Sequence, residues 1–517
     1  MKRNRARVLS VSVSAGVMAA ACAVHAQNAP GRGGGRGPAP TPKPTIVAPG
    51  SDQGDSSKSK ELPTMFPEEN SGANLPQPTT FPTMESATVI KPFPDPFAYM
   101  SDPTGKTRST AYADWEKHRQ EMMAMIEHYE IGDKPVVDVA KQVTATFTPA
   151  PPPNAQAATA AAPARGARGP FGGRGRGITP GGPGSGTLVV KVTGPGEPLT
   201  LTCNINVPIG AKAPYPVLIT MGGSSLPPAA FSSRGIAVVT YNYNSVTQDG
   251  RPSANDPYHK LYPDQKFSSN SVEGNSGQYS AWAWGASRVI DGLELTKDKF
   301  PVDLKHIAVT GCSRAGKLAL FAGAFDERVA LTVAQESGGG GATNWRFSAT
   351  EPRDPSDPSG KKLSVEGITN TDHAWFASQM FKWGAGSLDK LPEDHNMLTA
   401  LVAPRALYVT GNTDYTWLSN PSLYVNSQAT AKVYSTLGIA DRFGYVVNGQ
   451  HAHCNFPASQ NEQLAYFLDR FMKDDTSLSK IVAAVPEEFA KIDYARWTQW
   501  WGTGDPVLPP LKEGAIK

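Results

Sequence analysis

The sequence predicts an α/β fold: a doubly wound, mostly parallel sheet layered between helices as a three-layer sandwich. Three observations predict it. Short apolar runs recur from Leu199 onward, bounded by glycine, proline or polar residues. Helix-forming segments separate them, as crossovers between parallel strands require. One run, Ile307-Ala308-Val309, leads through Gly311-Cys312-Ser313-Arg314-Ala315-Gly316-Lys317 into a helix-forming stretch, Leu318 to Phe325.

Taken in order, Gln142 to Phe147 and Thr187 to Val192 read as strands on either side of a long insertion. Leu199 to Val207 is extended, and Pro216 to Met221 is a buried strand ending in Gly222-Gly223. Gly235 to Tyr243 is the next strand, and Gly277 to Leu295 is a helix carrying Trp282, Trp284, Val289 and Ile290. The strands His306 to Thr310, Ala330 to Ala334, Arg405 to Thr410 and Phe443 to Val447 follow. Helices are expected at Tyr424 to Leu437 and Asn461 to Met472. Trp497, Trp500 and Trp501 suggest a terminal helix and tail packed on the domain, and no internal repeat is evident.

Length and composition set the bounds. The 517 residues suffice for one large catalytic domain with insertions, and at 39% hydrophobic they can bury a core. The net charge of +3 is small, and much of the basic character lies in Gly/Pro-rich segments, which argues against a nucleic-acid partner. Lys2, Arg3, Arg5 and Arg7 precede an apolar, small-residue stretch, Val8 to Ala21, and then Val24-His25-Ala26. This is the pattern of a signal peptide over residues 1–26, so the chain is expected to be exported, periplasmic or secreted. Lipoprotein processing at Cys22 is the weaker alternative, because Ala19 stands where a larger aliphatic residue is usual. No other segment is long and apolar enough for a stable membrane span. Residues 27–85 are rich in Pro, Gly, Ser and Gln and read as a disordered leader; the catalytic domain is expected over 86–517. A second such tract, 149–186, carries Arg165, Arg168, Arg174 and Arg176 and reads as a disordered insertion within a hairpin. With Cys22 removed, Cys203, Cys312 and Cys454 remain, an odd number that predicts one disulfide and one free thiol.

A serine between glycines at a strand-to-helix switch is how α/β-hydrolases present a nucleophilic hydroxyl. That hydroxyl needs a base within hydrogen-bond reach and an acid to orient the base. Reactive groups in an open parallel sheet collect beyond the C-terminal ends of the strands. Ser313 follows one predicted strand, Glu336 the next, Asp414 the next again, and His451 and His453 the last. A serine in a glycine turn is most often only a turn, and a glutamate at a strand end often caps a helix. Their occurrence in order at successive strand ends favours a Ser-acid-His set. Ala315 departs from the usual G-x-S-x-G, with the glycine one residue later. His453 is preferred over His451 as base because Cys454 adjoins it. If Ser313 and His453 meet, Cys312 and Cys454 come within bridging range. The rival, a metal site of His451, His453 and Cys454, lacks companion ligands at the usual spacing, so no metal is expected. Arg314 follows the nucleophile, where its backbone N–H and guanidinium can face an oxyanion. Lys317, one helical turn on, can point an ammonium at sugar hydroxyls.

The stretch from Gly311 to Lys317 resembles the signature of the glucuronoyl esterases, carbohydrate esterase family 15. Further blocks of that family are resembled by Ala281-Trp282-Ala283-Trp284-Gly285 and by Gln335-Glu336-Ser337-Gly338 with Trp345-Arg346. Ala403-Pro404-Arg405, Asn412-Thr413-Asp414 with Trp417-Leu418, and His453-Cys454-Asn455-Phe456-Pro457 extend the match over roughly residues 85 to 475. The resemblance implies Ser313 as nucleophile, His453 as base, Glu336 as acid with Asp414 as alternative, and Arg314 at the oxyanion. It implies Lys317 and Trp417 as contacts to the glucuronoyl ring, and a Cys312–Cys454 disulfide. Glu393 departs from the family's usual aromatic, and Gly367 to Trp375 fits its sugar-contacting loop loosely. The implied reaction is cofactor-free hydrolysis of 4-O-methylglucuronate esters, as in lignin–glucuronoxylan linkages. Another exported carbohydrate esterase (acetyl-xylan or feruloyl) or a non-catalytic polysaccharide-binding protein are the alternatives, and a monomer is favoured.

Overall fold

Eleven strands form one sheet in the computed structural model, which describes residues 46–47, 54–151, 181–269, 273–384 and 386–516. The expected signal peptide at 1–26 and the interior of the Arg-rich insertion lie outside the described residues. The strands are β1 (Ile46–Val47), β2 (Val143–Pro149), β3 (Gly186–Val192), β4 (Leu199–Asn206), β5 (Tyr215–Met221) and β6 (Ala237–Tyr241). They continue with β7 (Val302–Cys312), β8 (Leu331–Gln335), β9 (Ala406–Asn412), β10 (Phe443–Asn448) and β11 (Val482–Pro486). Their order is β1-β11-β10-β9-β8-β7-β5-β6-β4-β3-β2. From β6 through β11 all pairings are parallel, while β2, β3 and β4 form an antiparallel meander that joins β6. Pro149 pairs with Gly186, so β2 and β3 form a hairpin whose connection carries the insertion.

Long helices cover both faces: α1 (Tyr112–Ile126), α2 (Gln278–Leu295), α3 (Arg314–Phe325), α4 (Asn420–Thr436) and α5 (Asn461–Met472). Side chains alternate along the central strands. Ile219, Ile307, Val309 and Leu407 face the core that holds the α2–α4 side, and Leu218, Ala308, Leu331 and Tyr408 face the core that includes Leu464 and Phe467 of α5. These are the doubly wound sheet and three layers that the alternation predicts.

Two expectations are corrected. From Gly54 onward the leader is laid on the domain. The buried Arg442 guanidinium donates to the Ser59, Leu62 and Pro63 carbonyls, and Glu69 meets Lys134 and Arg288. Polar contacts to its carbonyls and to Glu69, with only a few apolar side chains such as Leu62, Phe81 and Met84 packed on the core, hold this segment, which is why its composition looked disordered. Among its described residues the C-terminal tail has no long helix, only short 3-10 turns at Glu487–Lys491 and Tyr494–Trp497. Trp497, Trp500 and Trp501 are buried all the same, and the indole N–H groups of Trp500 and Trp501 both donate to the Phe93 carbonyl.

The sheet order reverses around β5, whose successor β6 lies on one side and β7 on the other. Ligand crevices of open α/β sheets form beyond the strand ends at such a switch point. Gly222-Gly223 follows β5 there, and Ser313 follows β7.

Candidate active site

Strand register places the candidate residues side by side. Cys312 is aligned with Gln335, and Gln335 with Thr410. Ser313 and Glu336 are therefore the first residues beyond neighbouring strands. Asn412 is aligned with Asn448, which puts the loop carrying His451 and His453 beside them.

Each turn demands an unusual backbone. Ser313, Glu336 and Cys454 have φ of 60°, 44° and 58°, in the left-handed region that side chains disfavour. The Ser313 N–H donates to the Gln335 carbonyl at 3.0 Å. A Cβ at Gly316 would lie 2.4 Å from that same carbonyl oxygen, and one at Gly311 would lie 2.1 Å from the Ala315 oxygen. The elbow thus needs glycine at 311 and 316, and Ala315 is accommodated against the core.

The Cys312–Cys454 disulfide is present, with Cα atoms 5.7 Å apart. It joins the residue before Ser313 to the residue after His453. Both sulfurs are in the bridge and are not thiolate ligands, although Cys312, His453 and Cys454 are the one group among the described residues close enough to hold a metal ion. Cys203 is free and buried, and burial pushes its thiol up to about 12.

Glu336 is buried and hydrogen-bonded along one edge. Its Oε2 accepts from His453 Nδ1 at 2.6 Å, from the Cys454 N–H at 3.1 Å and from Asn412 Nδ2 at 3.4 Å. A carboxylate only accepts, so Nδ1 carries the proton and Nε2 keeps its lone pair. That Nε2 is buried and has no hydrogen-bond partner among the described residues. Asp414 faces backbone instead: its carboxylate accepts the N–H groups of Gln450 and His451, at 2.7 and 3.1 Å. It shapes the histidine loop, whereas the His453 ring itself is held by Glu336. His451 Nδ1 lies 3.2 Å from Asn412 Nδ2 and 3.7 Å from Glu336 Oε1.

Arg314 is ion-paired to Asp249. Lys317 is only 2% accessible, pairs with Glu366 Oε2 at 2.8 Å and lies over the Trp375 ring. Trp417 is 39% exposed, with its ring edge-on to His453 at 4.9 Å. Its carbonyl accepts the Glu366 N–H. Glu393 is buried in the core rather than at the crevice. Asp249, Glu366 and Trp375 were missed as site residues. Asp249 and Glu366 sit on irregular loops and Trp375 ends a short 3-10 turn, His373–Trp375, where neither periodicity nor strand-end position marks them; only the looseness of the 367–375 match hinted at this region.

A serine elbow at the switch point, with a carboxylate-held histidine on a loop covalently tied beside it, is the layout of a serine hydrolase of the α/β-hydrolase class. Comparison with known proteins narrows the class. The family described as "Glucuronyl esterase, fungi" matches residues 190–438. The chain is 34% identical to 4-O-methyl-glucuronoyl methylesterase 1 of Phanerochaete chrysosporium, over 83% of this chain and 80% of that protein. It is 33% identical to the 4-O-methyl-glucuronoyl methylesterase of Cerrena unicolor, over 82% and 77%. The catalytic domain of a Hypocrea jecorina glucuronoyl esterase superposes with a TM-score of 0.59 and 28% identity, covering 78% of this chain and 94% of that one. The Sporotrichum thermophile enzyme, solved as a serine-to-alanine variant with methyl 4-O-methyl-β-D-glucopyranuronate, gives 0.62 and 26%, covering 82% and 97%. The chain belongs to the glucuronoyl esterases, a family of carboxylic ester hydrolases.

Proposed function

We propose that the protein hydrolyses esters of 4-O-methylglucuronic acid, such as those joining glucuronoxylan to lignin alcohols, through a Ser313–His453–Glu336 triad. The observation that carries this reading is the His453 ring, held at Nδ1 by Glu336 and unpartnered at Nε2 among the described residues, on a loop bridged to the nucleophile elbow. Family membership supports the substrate class.

In the reaction, Ser313 Oγ attacks the ester carbonyl and His453 Nε2 takes its proton. The tetrahedral oxyanion receives hydrogen bonds from the Arg314 guanidinium and nearby backbone N–H groups. His453 returns the proton to the departing alcohol, leaving an acyl-enzyme. Water, deprotonated by His453, attacks the acyl carbon, and collapse of the second tetrahedral species releases the uronic acid and restores the serine. Lys317 and Glu366 offer a donor and an acceptor to the sugar hydroxyls, and the exposed Trp417 face lies against the ring. Disulfide formation favours an oxidising compartment, which supports export. Among the described residues no helix is long and apolar enough to cross a membrane.

The test is an ester panel on the purified protein. Turnover of methyl 4-O-methylglucuronate well above that of acetyl-xylan and feruloyl esters is expected. Cleavage of only the latter two would overturn the substrate assignment, and no turnover of any ester would leave a polysaccharide binder.

A further inference from the structure

Arg314 does not stand alone beside the nucleophile. Its guanidinium is ion-paired with Asp249, and the Tyr243 hydroxyl lies against it. The other Asp249 oxygen, Oδ1, accepts the indole N–H of Trp375 at 3.0 Å. The Trp375 ring carries the Lys317 ammonium 4.9 Å from its centroid, and Lys317 is paired with Glu366. Glu366 is in turn held by Thr371 Oγ1 at 2.8 Å and, through its N–H, by the Trp417 carbonyl. A continuous line of contacts therefore runs from the oxyanion side of the crevice to its sugar side.

The Asp249 end of this line is built rigidly. The fully buried Gln278, first residue of α2, donates to the Gln248 carbonyl at 2.6 Å and accepts the Gly250 N–H at 3.0 Å. Trp282, one turn on, donates to the Thr247 carbonyl. Trp375 approaches the start of the same helix so closely that a Cβ on Gly277 would lie 2.4 Å from the Trp375 carbonyl oxygen. One helix end thus fixes both loops that meet at Asp249. Preorganised direction, more than charge alone, makes a donor effective at a developing oxyanion. An unpaired arginine on a long side chain lacks that direction.

We propose that Asp249 and Trp375 are positioning residues for catalysis: they aim the Arg314 guanidinium at the oxyanion and join it mechanically to the Lys317–Glu366 sugar contacts. The inference rests on the oxyanion role given to Arg314 above. Steady-state kinetics on methyl 4-O-methylglucuronate test it with Arg314→Ala, Asp249→Asn and Trp375→Phe, and with the latter two each combined with Arg314→Ala. Arg314→Ala should lower kcat about 100-fold. Asp249→Asn should lower kcat about 10-fold with KM nearly unchanged, the signature of an interaction made in the transition state. In the Arg314→Ala background the same change should cost nothing more, because its effect runs through the missing guanidinium. Trp375→Phe removes only the N–H while keeping a ring beneath Lys317, and should lower kcat about threefold, an effect likewise absent without Arg314. It carries the test if Asp249→Asn does not fold. A full Asp249→Asn or Trp375→Phe loss persisting in the Arg314→Ala background overturns the proposal, as does kcat unchanged or raised in both single variants. Unchanged kcat in Arg314→Ala would instead remove the oxyanion assignment itself, a result distinguishable from the first two.

Discussion

Two glutamate–histidine pairs among the described residues are joined by a hydrogen bond, and they differ in one nitrogen. Glu336 holds His453 at 2.6 Å and Glu130 holds His395 at 2.8 Å. Both carboxylates are buried. His395 spends its second nitrogen on the Gly341 carbonyl, inside the glycine-rich loop that follows Glu336. His453 leaves Nε2 without a partner among the described residues, at the crevice. Burial opposes protonation of His395, but the Glu130 carboxylate, the Gly341 carbonyl and Asp394 together outweigh it, and its pKa is raised. A histidine with both nitrogens engaged is a clamp; one with a spare nitrogen is free to act as a base, the role proposed for His453. The contact to an acid does not tell them apart.

Substitution of the two histidines gives the sharpest contrast. His453→Ala should lower kcat by about 10⁴- to 10⁶-fold while the melting temperature changes little. His395→Ala should instead cost about 3–5 kcal/mol of stability, because it strands the Glu130 carboxylate in the core. Below its lowered melting temperature its kcat should stay within about tenfold of wild type. A His395 variant of full stability and lost turnover would erase the distinction. Next in size is the comparison of acids. Glu336→Gln should lower kcat by about 10³- to 10⁴-fold, and Asp414→Asn by about tenfold, since Asp414 holds backbone rather than ring; the reverse ranking would transfer the triad role to Asp414.

The smallest effect concerns Glu393, beside the structural pair. Burial, with Glu130 and Asp394 nearby, holds its carboxyl well above the ordinary carboxylate range. The folded chain keeps a proton there that the unfolded chain releases above about pH 4.3. This contribution to stability is complete below that pH and declines as pH rises toward the folded-state pKa. Thermal melts between about pH 5 and about pH 8 should therefore show Glu393→Gln gaining on wild type as pH rises. A constant difference would mean that Glu393 is already ionised in the fold.

The strand-to-helix rhythm was readable because central strands are short, apolar and separated by helices. Ser313, Glu336 and His453 were readable because register converts position after a strand into position at the crevice. Asp249, Glu366 and Trp375 reach the site through loops whose paths are set by contacts such as Gln278 with the 248–250 turn, and no local pattern encodes those. The leader misled for a related reason. Arg442 grips its carbonyl oxygens, and carbonyls are common to every residue type. In the tail, the tryptophans announced burial correctly, but Gly502, Gly504, Pro506, Pro509 and Pro510 leave no room for a helix beyond them.

The bridge from Cys312 to Cys454 closes a sequence separation of 142 residues. Its sulfurs adjoin the proposed nucleophile, Ser313, on one side and the proposed base, His453, on the other. The sheet register brings the two loops near each other, and the bridge fastens them. A chain that has not yet met an oxidant carries every functional side chain, yet lacks the fastening that keeps serine and histidine in step.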